Sequence, residues 1–91
     1  MPIPVAWVLR YPTHMSDIDD TLDATGLLCP LPVLKARKRL KSMGTGQVLR
    51  VLADDPAAIV DVPHFCMEAG HELLSQGEEG PAQFYVIRKA G

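Results

Sequence analysis

Leu27-Leu28-Cys29-Pro30-Leu31-Pro32-Val33-Leu34-Lys35 is the stretch from which the fold of this 91-residue chain can be worked out. Gly26 precedes it, two prolines follow Cys29 closely, and a run of helix formers opens directly after them. Proline is tolerated in the first turn of a helix, where backbone N–H groups lack intrahelical partners. The residue before a proline avoids helical geometry, so Leu31 resists the first turn and the helix is expected to start at about Pro30 or Pro32. Cys29 then lies just before, or at, the helix N-terminus, where partial positive charge favours a thiolate and lowers a thiol pKa. Each proline also removes an amide that could have faced the sulfur. The prolines are therefore expected mainly to stiffen the loop and fix where the sulfur points. Help to the thiolate would come from the remaining amides and from nearby cations.

Downstream, Val33, Ala36, Leu40 and Met43 recur at helical spacing and predict an apolar stripe, with Gly44 as the stop. Lys35, Lys38, Arg39 and Ser42 fall on the opposite face, flanked by Arg37 and Lys41. Upstream, Thr21 to Ala24 predicts a short strand closed by Thr25-Gly26. Gln47 to Ala53 is rich in branched residues and predicts a strand with Leu49, Val51 and Ala53 on one face and Arg50 on the other. A strand, a helix and a strand on short connections imply a parallel crossover.

Asp55 as N-cap and Pro56 at the first helical position predict a second helix, kinked or interrupted at Pro63 and ended by Gly70. Glu72 to Ser75 predicts a third strand, Gln76 to Pro81 a polar turn, and Gln83 to Lys89 a fourth strand forming an antiparallel hairpin with the third. The order is β-α-β-α-β-β. The fold class is an α/β two-layer sandwich: a mixed four-stranded sheet with two helices on one face.

The length allows one domain with a modest core. A hydrophobic fraction of 47% and a charged fraction of 22% are those of an ordinary globular protein. The net charge of −2 exerts no global pull toward nucleic acid, but it is unevenly distributed. No acidic residue lies between Ala24 and Ala53, and six of the nine basic residues do. Cys29 and Cys66 are too few for a secreted disulfide scaffold. Ile3 to Leu9 is a poor secretory signal, and nothing is long enough to span a membrane. A reduced thiol in the cytoplasm is the expectation. Residues 1–19 are expected to be a disordered N-terminal extension and 20–91 the folded domain. The first fourteen residues, broken by prolines at 2, 4 and 12, would come from an upstream start codon, with Met15 as the natural start. The competing reading is an extra strand or partner-binding segment around Trp7.

Most free cysteines are small core hydrophobes. For Cys29 the position at the helix mouth, the rigid Pro-Leu-Pro and the cationic stretch favour a reactive thiol instead. Cys66, after Phe65 in an apolar helix, reads as a packed core thiol, with a resolving disulfide to Cys29 as the lesser alternative. His14 lies in the tail, and His64 and His71 have no persuasive ligand partner, so no metal and no cofactor is expected. Asp54 and Asp55 read as turn and capping residues.

The residues also carry a family resemblance. Leu22-Asp23-Ala24, Gly26-Leu27 and Cys29-Pro30-Leu31-Pro32-Val33 resemble the TusA (SirA-like) sulfur carriers, marked by a Cys-Pro-x-Pro motif opening the first helix. The likeness continues through Ala53-Asp54-Asp55-Pro56-Ala57, Val62-Pro63-His64-Phe65-Cys66 and Tyr85-Val86-Ile87-Arg88-Lys89. It covers roughly residues 20 to 90. Leu31 stands between the prolines where the best-known tRNA-thiolation members have Glu.

The resemblance implies that Cys29, supported by Pro30 and Pro32, takes a sulfane sulfur as a persulfide. The donor would be a cysteine desulfurase or a rhodanese-type protein, and the receiver an acceptor protein in a DsrE-like relay. In the family that relay ends in tRNA 2-thiouridine formation; other branches feed molybdenum cofactor synthesis or sulfur oxidation. Such a protein is a persulfide carrier in a sulfurtransferase relay and not a turnover enzyme, and it needs no general base of its own. Lys35, Arg37, Lys38, Arg39 and Lys41 would dock acidic patches on donor and acceptor. Direct nucleic-acid binding is disfavoured by sparse aromatics (5%) and the negative net charge. The alternative is a small regulatory or adaptor module with a redox-sensing or structural cysteine.

Overall fold

The computed structural model describes residues 18–91; the expectations for Trp7, His14 and the start at Met15 lie outside the described residues. Strand β1 (Asp20–Asp23) leads through the Cys29 loop into helix α1 (Leu31–Lys41), and β2 (Val48–Ala53) follows. Helix α2 (Ala58–Ala69) then leads to β3 (Glu72–Glu79) and β4 (Ala82–Arg88). The sheet order is β1-β2-β4-β3, with β1 parallel to β2 and the other pairings antiparallel. This is the mixed sheet with two helices that the residue pattern predicts.

The core forms because alternate residues of the central strands point at the helices. Leu49, Val51 and Ala53 of β2 and Tyr85 and Ile87 of β4 are all essentially inaccessible, and Leu49 is registered against Ile87 and Val51 against Tyr85. Pro32, Ala36 and Leu40 bring α1 to this surface, and Ala58, Val62, Phe65 and Cys66 bring α2. Val33 and Met43 pack at its edge as partly buried residues. Each large side chain buried this way contributes about 1.5–3 kcal/mol.

Four local expectations are corrected. Helix α2 begins at Ala58 with Ala57 as its cap, not at Asp55-Pro56. Asp55 instead folds an Asx turn, accepting the Ala57 amide at 3.0 Å, while its carbonyl accepts from Ala58. Pro63 lies inside an unbroken α2. A proline there forgoes one backbone hydrogen bond, and the burial of Val62, Phe65 and Cys66 on either side outweighs that loss.

Strand β3 runs on to Glu79 through the segment expected to be a turn, leaving Gly80-Pro81 as the connection. An edge strand needs apolar side chains on neither flank, because its ladder to β4 is made by the backbone. Glu79 is held by Arg50 across the open face of the sheet. Helix α1 starts at Leu31, between the two prolines, and stops at Lys41 with Ser42 as its C-cap, just short of Met43 and Gly44.

Gly70 ends α2 as expected, in the left-handed conformation (φ 79°) that a side chain would strain.

Candidate functional site

Two loops and the first turn of α2 hold the site. Gly26 (φ 81°) turns the chain away from β1, and its amide donates to Asp54 Oδ1 at 2.9 Å. Three residues on, the Cys29 amide donates to Asp55 Oδ2 at 2.5 Å. The Asp54-Asp55 pair that ends β2 therefore ties down the loop that follows β1. The Cys29–Pro30 peptide bond is cis, Pro30 is the N-cap of α1, and Pro32 sits in the first helical turn with its ring buried. Cys29 is exposed at the mouth of α1, where the sequence places it.

What touches the sulfur differs from the expectation. The thiol donates to Asp61 Oδ2 at 2.5 Å, across thirty-two residues of sequence. The shallow cleft about it is lined by Cys29, Pro30, Pro32, Val33, Ala58 and Asp61, with no lysine or arginine among them. The hydrogen bond to Asp61 holds the Cys29 pKa above the ordinary thiol value, with desolvation and the negative charges of Asp61 and Asp55 acting in the same direction. A lowered pKa, expected from the helix end and nearby cations, is thus corrected. The amide-poor Pro-Leu-Pro turn offers the sulfur little positive potential, and a carboxylate occupies its side.

The basic stretch divides. The Arg37 guanidinium lies 5.3 Å from the Phe65 ring centroid, a cation–π contact. Arg39 Nη1 bonds Asp20 Oδ2 at 2.7 Å and holds that carboxyl below the usual range. Lys35, Lys38 and Lys41 are exposed and enter no salt bridge among the described residues. Apolar side chains also surround the site in sequence. Leu28, Leu31 and Leu34 flank Cys29 on the loop and α1, and Ile59 and Val60 precede Asp61 on α2. All five are exposed.

Cys66 is 2% exposed and free, and burial pushes its thiol up to about 11. His64 pairs with Glu68 at 3.2 Å, and His71 Nδ1 accepts the Ala90 amide at 3.1 Å. Among the described residues no three His, Cys, Asp or Glu side chains are grouped to hold a metal ion. No helix there is long and apolar enough to cross a membrane.

Two predictions arise from the thiols. In native buffer a chromogenic disulfide reagent should titrate one thiol, Cys29, and reach Cys66 only in denaturant; titration of both in native buffer would contradict the burial of Cys66. The second concerns pH. The folded state holds the Cys66 proton more tightly than the unfolded chain, which releases it near 9.0. Its contribution is whole below that value and is lost as pH rises toward about 11. Urea midpoints should fall across this window more steeply for the wild type than for Cys66→Ala.

The class defined by fold and site is a small two-layer α/β domain presenting one accessible thiol at the start of its first helix. The chain belongs to the TusA family: the family model described as "Sulfurtransferase TusA" matches residues 20–89. It is 46% identical over 76 residues to the sulfur carrier protein TusA of Allochromatium vinosum, covering 84% of this chain and all of the relative. It is 49% identical over 77 residues to the sulfur carrier protein TusA of Pseudomonas entomophila, covering 82% of this chain and 96% of that one. A crystal structure of a SirA-like protein from Desulfitobacterium hafniense is similar in fold. It superposes with a TM-score of 0.66 at 25% identity over 79% of this chain and 99% of the other.

Proposed function

We propose that this chain is a sulfur carrier of the cytoplasm, with Cys29 as the atom that is charged and discharged. The observation that carries the proposal is an accessible thiol on a loop pinned by Asp54 and Asp55, in a chain nearly half identical to named sulfur carriers. The donor is a cysteine desulfurase or a rhodanese-type protein bearing a persulfide, R–S–SH. The Cys29 sulfur attacks the outer sulfur, a Cys29 S–S bond forms, and the donor's S–S bond breaks. The departing donor thiolate takes the proton that left Cys29, so the products are Cys29–S–SH and R–SH. Passage to an acceptor cysteine repeats the exchange, and no external oxidant is needed. The first destination to test is tRNA 2-thiouridine formation.

Lys35, Lys38 and Lys41 are the residues of the basic face left to meet acidic groups on a partner, Arg37 and Arg39 being engaged within the chain. Exposed Leu28, Leu31, Ile59 and Val60 supply apolar surface beside the thiol that a docked partner would cover.

Incubation with a cysteine desulfurase and cysteine should add the mass of one sulfur atom to the protein, removed by a thiol reductant. Absence of that gain with both a desulfurase and a thiosulfate-fed rhodanese would overturn the proposal. Sulfur-independent binding to a regulatory partner would then take its place.

A further inference from the structure

A carrier that keeps a nucleophilic thiol in the open faces a chemical difficulty. A free thiolate reacts with any small oxidant or electrophile it meets, not only with its donor. The groups around Cys29 are arranged against that. Its S–H donates a hydrogen bond to Asp61 Oδ2 at 2.5 Å. The second charged group facing it is Asp55, from the β2–α2 loop, which accepts the Cys29 amide. From α1, the cleft receives only Pro32 and Val33, and from α2, apart from Asp61, only Ala58. The arginines of α1 that could have balanced these carboxylates are directed to Phe65 and Asp20. Asp61 is itself half-buried at the edge of the cleft, so a partner seated over Cys29 also covers it.

We propose that Asp61 is a brake on Cys29: it keeps the unloaded carrier's thiol protonated until a sulfur donor places a basic side chain against the Asp61 carboxylate. This rests on the carrier function proposed above and specifies the chemistry of the donor. The donor surface that meets the cleft carries a lysine, arginine or protonated histidine beside its persulfide. With the Asp61 charge neutralised, the thiolate is no longer opposed and forms only where a donor is present. Two opposite effects of charge thus work in sequence on one sulfur. The anionic neighbour suppresses reaction in the free protein, and the partner's cation relieves it in the complex. A loaded Cys29 has no proton on its inner sulfur to give Asp61, and the anionic outer sulfur is repelled by the carboxylate toward the solvent side, where an acceptor approaches.

The test compares two reactions of the full chain, one of which needs no sulfur donor. Alkylation of Cys29 by iodoacetamide, followed across pH and located by peptide mass spectrometry, reads the thiol in the free protein. In Asp61→Asn and Asp61→Ala its midpoint should fall, making alkylation near neutral pH severalfold faster. Asp61→Glu, which keeps the charge, should stay near the wild-type curve, and far-UV dichroism should show all three folded. Sulfur uptake from a cysteine desulfurase should change much less than alkylation in Asp61→Asn, because the docked donor has already released the brake. An unchanged or raised midpoint in both neutral variants overturns the proposal. So does an uptake rate that rises as much as the alkylation rate, which would show that the donor supplies no cation. Loss of sulfur uptake in every protein, with the alkylation shift present, would strike the carrier function and leave the role of Asp61 standing.

Discussion

Cys29→Ser protein given a cysteine desulfurase and cysteine should gain no sulfur, while the wild type gains one atom and Cys66→Ala does the same. The expected loss is complete, because the two thiols are not interchangeable. Cys29 is exposed at the start of α1, and Cys66 is 2% exposed beneath α2 with its thiol pushed up to about 11. A core thiol that is both protonated and out of reach cannot attack a donor's sulfur. Serine at position 29 supplies an oxygen that is a poor nucleophile at neutral pH. Because the Cys29 side chain contributes nothing to the core, the variant should fold as the wild type does. Intact-mass spectrometry before and after reductant makes the comparison. A reducible sulfur adduct on Cys29→Ser would place the carrier atom elsewhere.

The largest effect on stability is expected at Leu40. Its side chain is 1% exposed and lies on the buried face of α1 with Pro32 and Ala36, the face that seats the helix on β2. Truncation of a buried leucine to alanine removes its transfer free energy and leaves a cavity, together about 2–5 kcal/mol. For a folded unit of this size each kcal/mol lowers Tm by about 4–8 °C, so Leu40→Ala should melt at least about 10 °C lower. Leu34→Ala, on the exposed side of the same helix, should change stability by no more than about 0.5 kcal/mol. Urea unfolding of the pair checks both, and a cost below about 1 kcal/mol at Leu40 would contradict the described packing. The consequence reaches the site, because α1 carries the loop of Cys29 at its N-terminus. A loosened α1 should slow sulfur uptake even where the protein remains folded.

Local chemistry by itself determined the element order and the place of the thiol. The alternation of Leu49, Val51 and Ala53, the helical recurrence of Ala36 and Leu40, and the glycine at position 70 each express a preference that a few neighbouring residues settle among themselves. Cys29 before a Pro-Leu-Pro turn is likewise a local fact, and the sequence resemblance names the same family as the comparisons. The extent of β3 and the continuity of α2 through Pro63 were not legible. In the first, a backbone ladder to β4 overrides polar side chains. In the second, burial on both sides of the proline overrides its missing hydrogen bond.

Only the tertiary structure decided the electrostatics of the site. Asp61 reaches Cys29 across thirty-two residues, and Arg37 and Arg39 find Phe65 and Asp20, none of which a spacing rule connects. The sign of the Cys29 pKa shift turned on those contacts. A helix end and basic neighbours in sequence argued for a lowered value, and a carboxylate delivered by the second helix raises it. Where a chain places its thiol is settled by a handful of adjacent residues; what charge that thiol faces depends on which distant segments the fold brings beside it.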